Sequence, residues 1–432
     1  MSTFQPNWLP IALGSVPHAD APSAWRAILG AFREIPFWPA LPRRSYLENM
    51  YAQFSERFPG VRFDKGRIHV DRQRDLNPDL ERLYLAYLED DLSYGHTGRD
   101  HAAGLARLRD REVALPEGMV ALKGHLAGPI SLGLTIVDRN QRPVLYDEVL
   151  ADAVGKHLRL KAAWQERELS RFAPQTILLL EEPYMASFGS AFVSLPREQV
   201  VGLLEEVFAG LKGLKGVHCC GNTDWSVLLS TSIDILSLDA YDYAGTLALY
   251  PEPVARYLAR GGIIAWGIVP SGPAAAGETV ESLVQRLHEA MTSLIDKGVP
   301  EEALLKAGLV SPSCGLGPLA PGLAERRLER WNVDPAVGLG IPGVAVLDGQ
   351  DVGRGIVGVQ GAPELADADV EGTAGTVGIA VGPEDLDELV GGHDAIAEGE
   401  QNPEECAVLT AAPRRSGQRL PLAAHLERAQ HQ

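Results

Sequence analysis

The sequence lacks the long apolar segments that cross membranes. No run reaches the roughly 18 apolar residues that suggest a membrane-spanning helix. The N-terminal stretch Met-Ser-Thr-Phe-Gln-Pro-Asn-Trp has neither the basic start nor the apolar centre of a secretory signal. Four cysteines are too few for a disulfide framework in a chain of 432 residues. These absences predict a cytoplasmic protein with reduced thiols and no membrane partner.

Positive charge is also scarce. The chain carries 39 Lys+Arg against 57 Asp+Glu, a net charge of −18. A protein that binds nucleic acid or an anionic membrane usually presents a basic surface, so the composition argues against both partners.

The last quarter of the chain is poor in residues that build a core. No Phe, Trp or Tyr follows Trp331, and residues 332–432 carry 17 acidic residues against 5 Arg. Such a composition predicts that 336–432 is a disordered, low-complexity acidic tail. A frameshift is the alternative, because a last helix at about 322–330 loses its amphipathic pattern after Trp331. Translating the other two reading frames would decide between them.

The first 335 residues alternate between short apolar runs and amphipathic helical patterns. Alternating strands and helices indicate a parallel sheet, and eight repeats over about 320 residues fit a single (β/α)₈ barrel, the TIM-barrel fold. A hairpin at about 61–70 and the helices around it form an N-terminal insertion. The strands are predicted at about 9–14, 35–41, 119–126, 176–180, 214–219, 233–238, 263–269 and 304–310. An open, doubly wound sheet is the alternative architecture.

Three possible metal ligands follow predicted strands. His218 and Cys220 are two residues apart, so on one strand they share a face while Cys219 points to the opposite face. Cys314 follows Cys220 by 94 positions, after the last strand, and the strand ends of a barrel meet at one mouth. One imidazole and two thiolates with an open fourth position are typical of catalytic zinc. The alternative is that these are small buried residues of the core.

Five motifs resemble cobalamin-independent methionine synthases, over about residues 9–330. They are Gly14-Ser15-Val16-Pro17, Glu181-Glu182-Pro183, His218-Cys-Cys-Gly-Asn222, Gly267-Ile-Val-Pro-Ser-Gly272 and Pro312-Ser-Cys314-Gly-Leu. The motif that begins at His218 also resembles the methylcobamide:coenzyme M methyltransferases. Both groups belong to a superfamily of barrels that includes uroporphyrinogen decarboxylase.

The resemblance implies roles for individual residues. His218, Cys220 and Cys314 would bind zinc, and Asp239 would be an acid at or near the metal, where the family usually carries Glu. Ser15 and Glu181 would contact the amino-acid part of a thiol substrate. Glu182 and His18 are our candidates for a general acid.

The expected reaction is transfer of a methyl group to a small thiol, with homocysteine as the first candidate. Coordination to zinc would convert the thiol to the nucleophilic thiolate. Methyl-folate or a methylcorrinoid protein would donate the methyl group. Two alternatives are a lyase of the uroporphyrinogen decarboxylase type, which needs no zinc, and a non-catalytic barrel that binds a corrinoid or a metal.

Overall fold

The computed structural model describes residues 4–64, 66–190 and 193–319. The predicted acidic tail at 336–432, the predicted last helix at about 322–330 and the end of the 1–335 domain lie outside these residues. No helix among the described residues is long and apolar enough to cross a membrane.

The described residues form an α/β structure around a six-stranded parallel sheet. The strand order is β3-β4-β5-β6-β7-β8, so sequential strands are neighbours. A separate antiparallel pair, β1 and β2, confirms the predicted hairpin. The strands are β1 Val61–Asp64, β2 Arg67–Val70, β3 Leu122–Ala127, β4 Thr176–Glu181, β5 Leu214–Cys219, β6 Ile235–Leu238, β7 Ile263–Val269 and β8 Gly308–Pro312.

Helices separate the strands of the parallel sheet. The α-helices are α1 Ala21–Ala31, α2 Met50–Phe54, α3 Asn77–Leu88, α4 Ala103–Arg109, α5 Pro129–Thr135, α6 Glu148–Leu169, α7 Arg197–Phe208, α8 Trp225–Leu229, α9 Ala240–Leu247, α10 Pro251–Ala259, α11 Val280–Ile295 and α12 Glu301–Lys306. Short 3₁₀ helices cover Tyr46–Glu48, Leu92–Gly95, Val144–Tyr146, Pro183–Ser187 and Pro273–Ala276. The prediction of a strand from 304 is corrected, since α12 occupies its first residues.

The longest helix, α6, shows how local sequence sets these elements. It begins at Asp147, whose carboxylate accepts a hydrogen bond from the Leu150 amide and so caps the first turn. No proline interrupts the 22 residues that follow. Its Gln165 side chain bonds both the N–H and the carbonyl of His125 on β3. The helix is therefore tied directly to a strand that leads to the candidate site.

Two of the eight predicted strands are not regular strands. The segments near residues 9–14 and 35–41 form only isolated parallel bridges: Pro10 with Val310, Ser15 with Ala40, and Phe37 with Lys123. Prolines within these segments lack the N–H that a continuous ladder requires, which explains the interrupted pairing. Parallel pairing nevertheless continues from β8 through the two segments to β3.

The sheet separates two apolar layers. The inner layer contains alternate residues of neighbouring strands, such as Ile177, Leu179 and Leu214, while Leu178 and Val217 belong to the outer layer. Strands that are buried on both faces are typical of parallel sheets covered by helices. At the carboxyl ends of these strands, the face that carries the inner apolar layer carries polar side chains instead.

Candidate metal centre

The structure brings His218, Cys220 and Cys314 together. His218 lies in β5, Cys220 follows that strand, and Cys314 comes two residues after β8. Their ligand atoms all lie within 4.8 Å of one another. His218 is buried, whereas both cysteines are partly exposed. The donor set suits zinc, because one imidazole and two thiolates leave a fourth position for a substrate.

Strand alternation separates the neighbouring cysteine from this group, as predicted. Cys219 is fully buried in the outer apolar layer. Its Sγ lies 3.5 Å from the carbonyl oxygen of Gly221. Cys219 is therefore a core residue, although it stands beside two residues of the candidate site.

A hydroxyl group orients the imidazole. The Nδ1 atom of His218 lies 2.9 Å from Oγ of Ser237, its register partner on β6. Because this contact occupies Nδ1, the other ring nitrogen, Nε2, is the one that can bind a metal. Ser237 was missed in the sequence analysis. Ser237 lies two residues after Ile235 of the inner layer, so strand alternation predicts that its side chain lies on the same face.

Replacing Ser237 with alanine should weaken zinc binding roughly 10- to 100-fold, the usual effect of removing a group that orients a metal ligand. Competition with a chromophoric chelator would measure the change. Ser170→Ala is the control, because the Ser170 hydroxyl bonds only the end of α6 in an exposed position. Equal zinc affinity in Ser237→Ala and wild-type protein would contradict this role.

Asp239 directly follows β6, and its carboxylate caps a helix. Its carboxylate accepts a hydrogen bond from the Asp242 amide at 3.0 Å and so begins α9. Among the described residues, it is not part of the group whose ligand atoms lie within 4.8 Å. Its role near a metal stays a prediction.

Ser15 lies against the loop that carries Cys314. The Leu316 amide donates to the carbonyl of Ser15 at 3.1 Å. A methyl group at Gly315 would lie 2.4 Å from Oγ of Ser15, so the loop approaches this closely only with glycine there. The N-terminal segment thus helps to position a possible metal ligand, whereas contact of Ser15 with a substrate stays a prediction.

Glu181 is the register partner of His218 on the adjacent strand. Burial raises the pKa of its carboxyl group, and the Lys123 ammonium acts against that rise. Its Oε1 atom is buried and has no hydrogen-bond partner in the described structure. A polar atom in this state, beside a candidate metal ligand, is suited to bind a ligand.

Glu182 is held differently from Glu181. Its carboxylate accepts hydrogen bonds from the amides of Ile130 and Ser131 and from the Ser131 hydroxyl, at the start of α5. A methyl group at Gly128 would lie 2.2 Å from its carboxyl carbon. Burial raises the pKa of Glu182 to about 7 against the effect of these hydrogen bonds. These contacts anchor the start of α5, while the role of Glu182 as a general acid stays a prediction.

His18 is buried, with 4% of its surface exposed, three residues after Ser15. It is not part of the group of possible metal ligands. The second candidate for a general acid therefore lies in the segment that reaches the loop of Cys314, and its role also stays a prediction.

Comparisons with known proteins found proteins similar to this chain only among solved structures. No protein-family model matches the sequence, and no curated protein matches it. A B12-independent methionine synthase from Shewanella is 17% identical, with a TM-score of 0.45, and the match covers 75% of this chain and 96% of that chain.

Two further solved structures give similar values. A putative B12-independent methionine synthase from Listeria monocytogenes is 13% identical, with a TM-score of 0.47 and the same shares of coverage, 75% and 96%. A methyltransferase from Methanosarcina mazei is 12% identical, with a TM-score of 0.45, and the match covers 74% of this chain and 92% of that chain.

Proposed function

We propose that the chain is a zinc-dependent methyltransferase that methylates the sulfur of a small thiol. The observation that carries the proposal is the convergence of His218, Cys220 and Cys314 from two distant parts of the sequence. We further propose that the six strands and the two bridged N-terminal segments make up one (β/α)₈ barrel, with these residues at its mouth.

Each residue of the site has a task in this proposal. His218, Cys220 and Cys314 hold the zinc, and Ser237 fixes the orientation of the imidazole. Zinc at this position favours the thiolate form of the acceptor, which is the nucleophilic form. The protein needs a reducing compartment, such as the cytoplasm, because two of its ligands are thiols.

Glu181 and Ser15 bind the remainder of the acceptor, for which homocysteine is the first candidate. The buried Oε1 of Glu181 can accept a hydrogen bond from an ammonium group. Ser15 lies beside the loop of Cys314, so a ligand that reaches Ser15 is also close to the centre.

The donor is methyl-folate or a methylcorrinoid protein. A methyl-folate donor requires a proton on the departing amine, whereas a corrinoid requires none. Glu182 and His18 are the candidates for that proton. The Glu182 carboxylate already accepts three hydrogen bonds at the start of α5.

A methyl-transfer assay tests the proposal. Zinc-loaded full-length protein is incubated with homocysteine or coenzyme M as acceptor and methyl-folate or methylcobalamin as donor. We expect a thioether with at least one pair, and its loss in Cys220→Ser but not in Cys219→Ser. Zinc binding without a thioether from any pair would indicate the non-catalytic barrel instead. Activity that survives Cys220→Ser would contradict the proposed centre.

A further inference from the structure

The Lys123 ammonium is a second unusual group in the interior. Lys123 lies in β3 with none of its surface exposed. Its Nζ has no hydrogen-bond partner in the described structure and lies 5.6 Å from the centre of the Phe37 ring. An ammonium group has three donors, and leaving them unmet in the interior is costly.

The surroundings of Lys123 are apolar on one side and polar on the other. Its register partner on β4 is Ile177, a member of the inner apolar layer. Four residues along the same strand lies Glu181, whose charge opposes the effect of burial on the pKa of Lys123. No hydrogen bond joins the two groups, since both Nζ of Lys123 and Oε1 of Glu181 are without a partner.

Two effects act in opposite directions on the charge of Lys123. Burial lowers the pKa of its amine to about 8, and the Glu181 carboxyl group favours the ammonium form. Burial and the Lys123 ammonium hold the pKa of the nearby His125 imidazole well below its usual value. The interior therefore presents the Lys123 amine and the Glu181 carboxyl group, each with an atom that has no hydrogen-bond partner in the described structure, on strands that lead to the candidate centre.

We propose that Lys123 selects acceptor thiols that carry an anionic group, by binding that group's carboxylate or sulfonate oxygens at its buried Nζ. The inference rests on the proposed function, because the thiol must lie at the metal centre while its other end reaches Lys123. An anionic oxygen would supply the acceptor that Nζ lacks, and a charged hydrogen bond in the interior is strong. A neutral thiol of the same size would leave the ammonium unsatisfied.

Binding of thiol pairs with and without an anionic group tests the inference. Titration calorimetry on zinc-loaded full-length protein compares 2-mercaptoethanesulfonate with 2-mercaptoethanol, and 3-mercaptopropionate with its methyl ester. In Lys123→Met we expect affinity for the anionic members to fall roughly 10- to 100-fold, the usual effect of losing a charged hydrogen bond. The neutral members should change less than about threefold. Lys123→Arg should retain the preference for the anionic members.

Lys161→Met is the matched control. Among the lysines that the structure describes, Lys161 is the second that is fully buried; it lies on α6, and burial likewise lowers its pKa to about 8. Its replacement should leave the preference among thiols unchanged. Thermal melts identify any variant that fails to fold, and Lys123→Gln then replaces Lys123→Met.

The experiment distinguishes failure of the inference about Lys123 from failure of the proposed function. Equal losses for anionic and neutral thiols in Lys123→Met, or no loss for either, would overturn the selection by Lys123 and leave the proposed function intact. Absence of zinc-dependent binding of every thiol to wild-type protein would overturn the proposed function, and the role of Lys123 with it.

Discussion

Replacing Cys314 with serine is expected to lower zinc affinity by roughly 100-fold or more and to abolish methyl transfer. A hydroxyl does not replace a thiolate as a soft ligand, and losing one of three protein ligands exceeds the usual effect of losing an orienting group. Cys220→Ser should behave in the same way, because the two sulfur atoms and the His218 nitrogen form one group within 4.8 Å. Metal analysis of purified full-length protein would measure about one zinc per chain in wild type and much less in both variants.

Cys219→Ser is the matched control for both variants. It makes the same chemical change one residue from Cys220, but on the face that packs in the outer apolar layer. We expect full zinc content and a modest loss of stability, since a hydroxyl replaces a buried thiol. Full zinc in both Cys220→Ser and Cys314→Ser would overturn the centre, as would loss of zinc in a folded Cys219→Ser variant alone.

Glu182→Ala should destabilise the protein by about 3–5 kcal/mol, because each buried donor left without an acceptor costs about 1–3 kcal/mol. The substitution removes the acceptor for the amides of Ile130 and Ser131 and for the Ser131 hydroxyl. It also opens a cavity beside Gly128. Urea unfolding would measure the change. Glu302→Ala is the control, because this carboxylate lies exposed beside Lys306, and its loss should leave the unfolding midpoint unchanged.

The pH dependence of the same variant provides a second measurement. The pKa of Glu182 is raised from its ordinary value of 4.5 to about 7 in the folded protein. Between these values the folded state holds the proton more tightly than the unfolded state does, so this contribution to stability is present below pH 4.5 and lost as the pH approaches 7. The difference in unfolding free energy between wild type and Glu182→Ala should therefore shrink across that range. Loss of methyl transfer without loss of stability would instead support the general-acid role.

The sequence predicted the convergence of His218, Cys220 and Cys314 better than it predicted the edges of the fold. Alternation along one strand distinguished Cys219 from His218 and Cys220, because a period of two is fixed by backbone geometry. The same rule identifies Ser237. Alternation also separates Glu181, which shares the face of Ile177 and Leu179, from Glu182, which falls on the opposite face. It does not identify the partners of Glu182, because only the arrangement of α5 against β4 places the Ser131 amide at that carboxylate.

The errors in the strand prediction have a physical origin in proline. Hydrophobic runs near 9–14 and 35–41 are long enough for strands, but Pro10, Pro36 and Pro39 remove amide donors. Pairing is then limited to isolated bridges. The start of the last strand was misplaced because the apolar pattern after residue 303 suits both the end of α12 and the beginning of β8.

The pairing of the N-terminal segment with β8 bears on the order of events during synthesis. The indole N–H of Trp8 donates to the carbonyl of Leu305, across 297 positions, and the Ile11 amide bonds Val310. A ribosome that has made the first 300 residues has produced His218 and Cys220 but neither Cys314 nor the strand against which the N-terminus packs. Because long-range contacts form slowly and domains generally fold as units, the nascent chain offers a metal only two of its three ligands. A metal that binds all three ligands can therefore do so only after residue 314 has been made, when the last described strand can pair with the N-terminal segment.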